Sequence, residues 1–243
     1  MIRRALSIVF GVLISTVGEI TAVTGQTLPE PVKVSPPGVK AAPAADISFY
    51  LARGEADACG RACSEWIAAE GRIDPGAAQR LRRLLAKLGH RRLPIFFHSP
   101  GGSVAGSLEL GRLIRGRKLV ASVARTIPRG CDRDNLQDKT CEELKRSGME
   151  IESEFDAVVT MCNSGCVYAL IGGTTHLVPP WVKLGIHEVG LGPEKKAALR
   201  GAPITDVKRA AHARILEYVL DMGVDKALLT VASAVPNESV RFL

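Results

Sequence analysis

Residues 93–124 read LPIFFHSPGGSVAGSLELGRLIRGRKLVASVA. The apolar run Leu93–His98 ends in Ser99-Pro100-Gly101-Gly102, so it reads as a buried strand that feeds a tight loop. Val104–Ile114 then places apolar residues at helical spacing, and Leu119–Ala124 is again short and apolar. Strand, loop, helix and strand in that order make a right-handed crossover between parallel strands of one sheet.

The alternation continues on both sides. Upstream, Ser64–Ile73 reads as a first buried strand that stops at the turn Asp74-Pro75-Gly76. A helix follows over Pro75–Leu88, with Ala77, Leu81, Leu84, Leu85 and Leu88 on one face, Arg80, Arg82, Arg83 and Lys87 on the other, and proline in the first turn. Downstream come a strand at Ala157–Met161, a helix over Ser164–Gly172, strands at His176–Val178 and Lys183–His187, and two amphipathic helices at Ile204–Met222 and Val224–Ala234. The class is therefore α/β, with ββα-type units on a parallel central sheet and helices at the C-terminal end.

Residues 126–156 break the pattern with a polar segment holding Cys131 and Cys141, which reads as a surface insertion closed by a disulfide. Closing a loop of that size adds about 3 kcal/mol.

At the N-terminus, Arg3 and Arg4 precede an apolar run from Ala5 to Val17, with small residues near Val23 and Gly25. This predicts an export signal over residues 1–25, either cleaved or kept as a membrane anchor; the run is short for a full span. Residues 26–45 read as a Pro/Ala-rich linker and 46–243 as one domain, placed in the periplasm or outside the cell. The six cysteines fall in local pairs, Cys59 with Cys63, Cys131 with Cys141 and Cys162 with Cys166, and an oxidising compartment allows disulfides while leaving their connectivity open. None of the pairs has C-x2-C spacing, which disfavours a zinc site.

The chain is 46% hydrophobic and 23% charged, a balance that supports one sizeable core over its 243 residues. Its formal charge of +7 is spread out and aromatics make up 5%, so no nucleic-acid footprint is present. No phosphate-cradling GxxxxGK[ST] motif occurs, and no cofactor is expected.

Three segments stand where strands end, the edge at which open parallel sheets bind ligands: HSPGGSV at 98–104, CNSGC at 162–166 and VPPWVKLGIHE at 178–188. In order and spacing they resemble the Clp protease proteolytic subunit and its ClpP/crotonase relatives. There a strand ends in N-S-P-G-G, a nucleophilic serine opens a helix, and a histidine follows about two dozen residues later. The resemblance runs from about Trp66 to Leu243 and implies Ser164 as nucleophile, His187 as general base, and the N–H groups of Gly102 and Gly165 as oxyanion hole. It also implies a peptide or protein substrate and assembly into a homo-oligomer.

Two departures accompany it. Val240 stands where the relatives carry the orienting Asp before Arg-Phe-Leu, which leaves Glu238 as the nearest carboxylate to complete a triad, and Cys162 and Cys166 flank the serine where the relatives have small residues. His98 replaces the usual Asn and is expected to line the site, while His90, His176 and His212 read as surface or packing residues. The competing readings are a non-catalytic binding or assembly module of the same fold, favoured by Val240, and an acyl-CoA enzyme of the crotonase type.

Overall fold

The computed structural model describes residues 45–156, 160–190, 203–237 and 239–243, together with the backbone of Val32–Lys33. The signal or anchor at 1–25, most of the 26–45 linker, residues 157–159 of one expected strand, and Glu238 lie outside the described residues.

In chain order the elements are β1 (Val32–Lys33), β2 (Ser48–Arg53), β3 (Glu65–Glu70), α1 (Ala77–Leu88), β4 (Ile95–His98), α2 (Val104–Gly116), β5 (Val120–Val123), β6 (Arg125–Pro128), α3 (Lys139–Arg146), β7 (Glu150–Asp156), β8 (Cys162–Asn163), α4 (Gly165–Leu170), β9 (Thr175–Leu177), β10 (Leu184–Ile186), α5 (Ile204–Asp221), α6 (Ala227–Ser233) and β11 (Ser239–Phe242). The large sheet has the order β6-β7-β2-β3-β4-β5-β9. Its pairs β2–β7, β3–β4, β4–β5 and β5–β9 are parallel, while β2–β3 and β6–β7 are antiparallel. The fold is a mixed α/β architecture on a mostly parallel sheet, as expected.

Period-two alternation along β3 and β4 feeds two cores. Ile67, Ala69, Ile95 and Phe97 face Leu81 and Leu85 of α1 and Leu110 and Ile114 of α2. Trp66, Ala68 and Phe96 face the other way and pack with Tyr50, Ile151, Leu144 and Phe155. The second core shows what residues 126–156 do. They carry the expected Cys131–Cys141 disulfide, and they also build the sheet: β7 extends it in parallel beside β2 (Ala52 opposite Ile151), and Leu144 and Phe155 pack into this core. Phe155 stacks on Trp66 at 4.3 Å, and Trp66 Nε1 donates to Thr126 Oγ1 at 3.0 Å.

Strand β2 is a further element that the sequence reading, which begins its strands at Ser64, does not contain. Within the expected linker, β1 pairs antiparallel with β11, Val32 opposite Val240.

A second, small sheet has the order β1-β11-β10-β8. Among the described residues it meets the large one through one parallel bridge, Ser99 with Cys162, at the end of β4. That junction positions the site.

Candidate active site

The junction brings two of the three strand-end segments into contact. Ser99 N–H donates to Met161 O at 2.9 Å, and Asn163 N–H donates to Ser99 O at 3.0 Å. On the far side of β8, Ser164 N–H donates to Gly185 O at 2.6 Å, next to the parallel register Gly185 opposite Asn163. Ser164 is thus the first residue beyond β8, and His187 is the first beyond its parallel neighbour β10. Adjacent parallel strands lie about 4.8 Å apart, so both residues leave the same edge of the small sheet.

Ser164 has φ 54° and ψ −122°, a left-handed conformation that a non-glycine residue adopts at a cost of about 1–3 kcal/mol. It is a strand-to-helix elbow: α4 begins at the next residue, and the Cys162–Cys166 disulfide straddles the turn with both cysteines buried. A sharp turn of this kind lifts a nucleophile's hydroxyl clear of the sheet. Ser164 itself is half-buried, and among the described residues its Oγ has no hydrogen-bond partner.

The glycine turn packs on this elbow. Gly101 has φ 93°, and a Cβ there would lie 2.8 Å from both Gly165 N and Ser164 Cβ. Gly102 has φ 144°, and a Cβ there would overlap the Ile73 carbonyl. Glycine is required at both positions by conformation and by space. The turn is held by Ile73, whose N–H donates to Gly101 O at 2.8 Å and whose carbonyl accepts from Ser103 N–H at 2.6 Å. Buried Ser99 accepts from Gly101 N–H at 3.1 Å. Those bonds leave Gly102 N–H without a partner among the described residues, as is Gly165 N–H in the first turn of α4. Gly102 N lies 3.3 Å from where a Cβ on Gly165 would stand, so the two glycine backbones are packed together next to Ser164.

At His187, Nδ1 is 2.7 Å from the Glu188 carbonyl oxygen. A carbonyl only accepts, so in this bond Nδ1 is the donor. The ring lines a cleft of about 230 Å³ with Tyr168, Val189, Ile215 and Leu229 in its apolar wall and Lys208 at its rim, paired at 3.1 Å with Glu188. His212, read from sequence as a surface residue, is exposed and also borders this cleft. A larger cleft of about 470 Å³ lies elsewhere, along β6 and β7, where the carboxylates of Glu152 and Glu154 are already bound by Arg129 and Arg133.

Among the described residues the His187 ring bonds the Glu188 carbonyl and no carboxylate. β11 runs antiparallel to β10 with Ile186 opposite Arg241, and continuing that register by one residue sets buried Val240 opposite His187. Beneath the elbow, Asn163 Oδ1 is buried without a hydrogen-bond partner among the described residues, and a Cβ on Gly185 would strike it. All three local cysteine pairs are joined, and among the described residues no cysteine is free and no group of side chains has the arrangement to hold a metal ion. Among the same residues no helix is long and apolar enough to cross a membrane.

No protein-family model matches the chain. No curated protein matches it either. Among solved structures it is similar to a ClpP1 mutant from Listeria monocytogenes, at 14% identity over 67% of this chain and 75% of that one, with a TM-score of 0.39.

Proposed function

We propose that the chain is an exported serine hydrolase of the peptidase type, in which Ser164 is the nucleophile and His187 the general base. The observation that carries this reading is the elbow: a strained serine with a free hydroxyl, set beside two unbonded backbone N–H groups. Positive φ also occurs at Asp57, Ala62 and Lys118, but at Ser164 it falls on a half-buried hydroxyl at a strand end, and backbone strain clusters at active sites. The three disulfides, and the export signal expected from the N-terminal sequence, support an oxidising compartment, periplasmic or secreted.

In the reaction, His187 Nε2 takes the proton of Ser164 Oγ as that oxygen bonds to the carbonyl carbon of a peptide. The carbonyl electrons move onto oxygen, where the Gly102 and Gly165 N–H groups receive the charge. Collapse breaks the C–N bond, and the imidazolium returns its proton to the leaving amine; water then repeats the sequence on the acyl-serine. The Glu188 carbonyl fixes the tautomer of His187 as a carboxylate would, but it offers a dipole where a carboxylate offers a full charge. Loss of the orienting carboxylate costs a serine protease about 10⁴ in kcat, so turnover is expected to be slow.

A second reading, a non-catalytic module that binds peptides at the same edge, is favoured by Val240 in the place of the orienting acid. Fluorophosphonate labelling of the oxidised protein separates the two. The hydrolase labels, and both Ser164→Ala and His187→Ala lose the label; a folded wild type that does not label supports the module. Replacing both Cys162 and Cys166 by alanine is expected to slow labelling at least fivefold and to lower unfolding free energy by about 2 kcal/mol. Unchanged labelling in that variant would mean the disulfide does not hold the elbow.

A further inference from the structure

We propose that His98 is a positioning residue for Ser164, its imidazole serving as the acceptor that ties down the strand leading into the nucleophile elbow. The inference rests on the reading of Ser164 as nucleophile.

The seam between β4 and β8 has backbone bonds on either side of Ser99, to Met161 O and from Asn163 N–H. The next rung would need an acceptor for Met161 N–H. The Phe97 carbonyl is turned toward β5, where it accepts from Ala124 N–H at 3.1 Å. The His98 side chain fills the gap: Met161 N–H donates to its Nδ1 at 3.3 Å. Met161 is three residues before Ser164 and directly precedes β8, so the imidazole anchors the N-terminal side of the elbow while Gly185 anchors the other.

An acceptor at Nδ1 requires a neutral ring. The surroundings enforce that. Behind His98 lies a polar cavity of about 330 Å³ that it shares with Glu70, Arg125, Lys145 and Met161. The charged groups around the ring are Glu70 of β3, Arg125 of β6, Asp134 in the segment before α3, Glu142 and Lys145 of α3, and Asp156 of β7. Burial, then the Arg125 charge, lower the imidazole to about 4, with Asp156 opposing. Protonation would turn Nδ1 into a donor facing the Met161 N–H and break the rung.

An Asn side chain can place its Oδ1 near the position of Nδ1, accepts the same bond and does not titrate. The test therefore compares wild type, His98→Ala and His98→Asn in the full oxidised protein, by fluorophosphonate labelling rate from pH 4 to 8 and by hydrogen exchange of the Met161 amide. His98→Ala is expected to label at least tenfold more slowly at pH 7.5 and to lose protection at Met161, with protection at Ala68 and Phe97 unchanged. His98→Asn is expected to recover both to within threefold, and to out-label the wild type progressively as pH falls toward 4. Alanine behaving as wild type, or asparagine as poorly as alanine, overturns the proposal. Should the folded wild type fail to label at all, the hydrolase reading fails, and Met161 exchange still decides whether His98 holds the seam.

Discussion

Lys145→Met is expected to lower the unfolding free energy by about 3–5 kcal/mol, the cost of leaving a buried charge without its partner. Lys145 is 5% exposed and Glu70 8%, although they belong to α3 and β3 and are far apart in sequence. Lys145 Nζ donates to Leu136 O at 2.7 Å and lies 3.7 Å from Glu70 and 3.6 Å from Glu142. Glu70 also accepts from Thr126 N–H at 2.7 Å, so it secures β6 to the sheet.

Burial raises the Glu70 carboxyl above its usual range, with Lys145 the largest opposing influence. Removing the lysine raises it further. For an acid whose folded pKa lies above its unfolded one, the folded state holds the proton more tightly, so stability is gained as pH falls and lost as it rises through the folded pKa. The Lys145→Met deficit measured by urea unfolding should therefore be larger at pH 8 than at pH 5.5. Adding Glu70→Gln should recover part of it, since the orphaned charge is then gone. A deficit below about 1 kcal/mol, typical of an exposed pair, would contradict the buried-pair account.

Gly102→Ala carries the second large effect. A Cβ at that φ meets the Ile73 carbonyl that also holds Ser103, so the turn must shift and move its N–H out of line. Displacing one oxyanion donor costs about 10²–10³ in rate, and labelling of Ser164 should fall by that factor while the melting temperature reports whether the fold survives. Gly60→Ala is the control, because its φ is also positive, at 116°, and a Cβ there meets nothing within 4 Å. Equal losses in the two variants would assign the effect to backbone strain and not to the donor.

The parallel sheet and the meeting of its strand ends were legible because they rest on local signals: apolar runs of strand length, Pro and Gly at turns, and helical spacing in α1 and α2. The part played by residues 126–156 was hidden for a physical reason. Strand β7 presents Glu150, Glu152, Glu154 and Asp156 on alternate positions, which reads as solvent-facing polarity. In the fold each meets an arginine, Arg53, Arg129, Arg133 and Arg125 in turn. Partners that distant leave no periodic trace. Lys145 and Glu70 were illegible for the same reason, since nothing local marks a lysine that will be buried.

At the candidate site, Ser164 and His187 follow the neighbouring parallel strands β8 and β10, Gly101 and Gly102 pack against Ser164 and Gly165, and Cys162 joins Cys166. His98 reads from sequence as a lining residue, because its role comes from a single side-chain bond to Met161. The partner of His187 Nδ1 could not be read either, since it is a backbone carbonyl and carbonyls carry no sequence signature.

In the proposed function, Ser164 is an activated nucleophile facing two backbone donors. A crystal structure of the oxidised protein after exhaustive treatment with a peptidyl phosphonate tests it most directly. The expected result is a covalent bond to Ser164 Oγ, a phosphoryl oxygen about 2.7–3.1 Å from both Gly102 N and Gly165 N, and His187 Nε2 turned toward the adduct. An unmodified Ser164 in the folded, treated protein, or an adduct oxygen directed away from the two glycines, would contradict it.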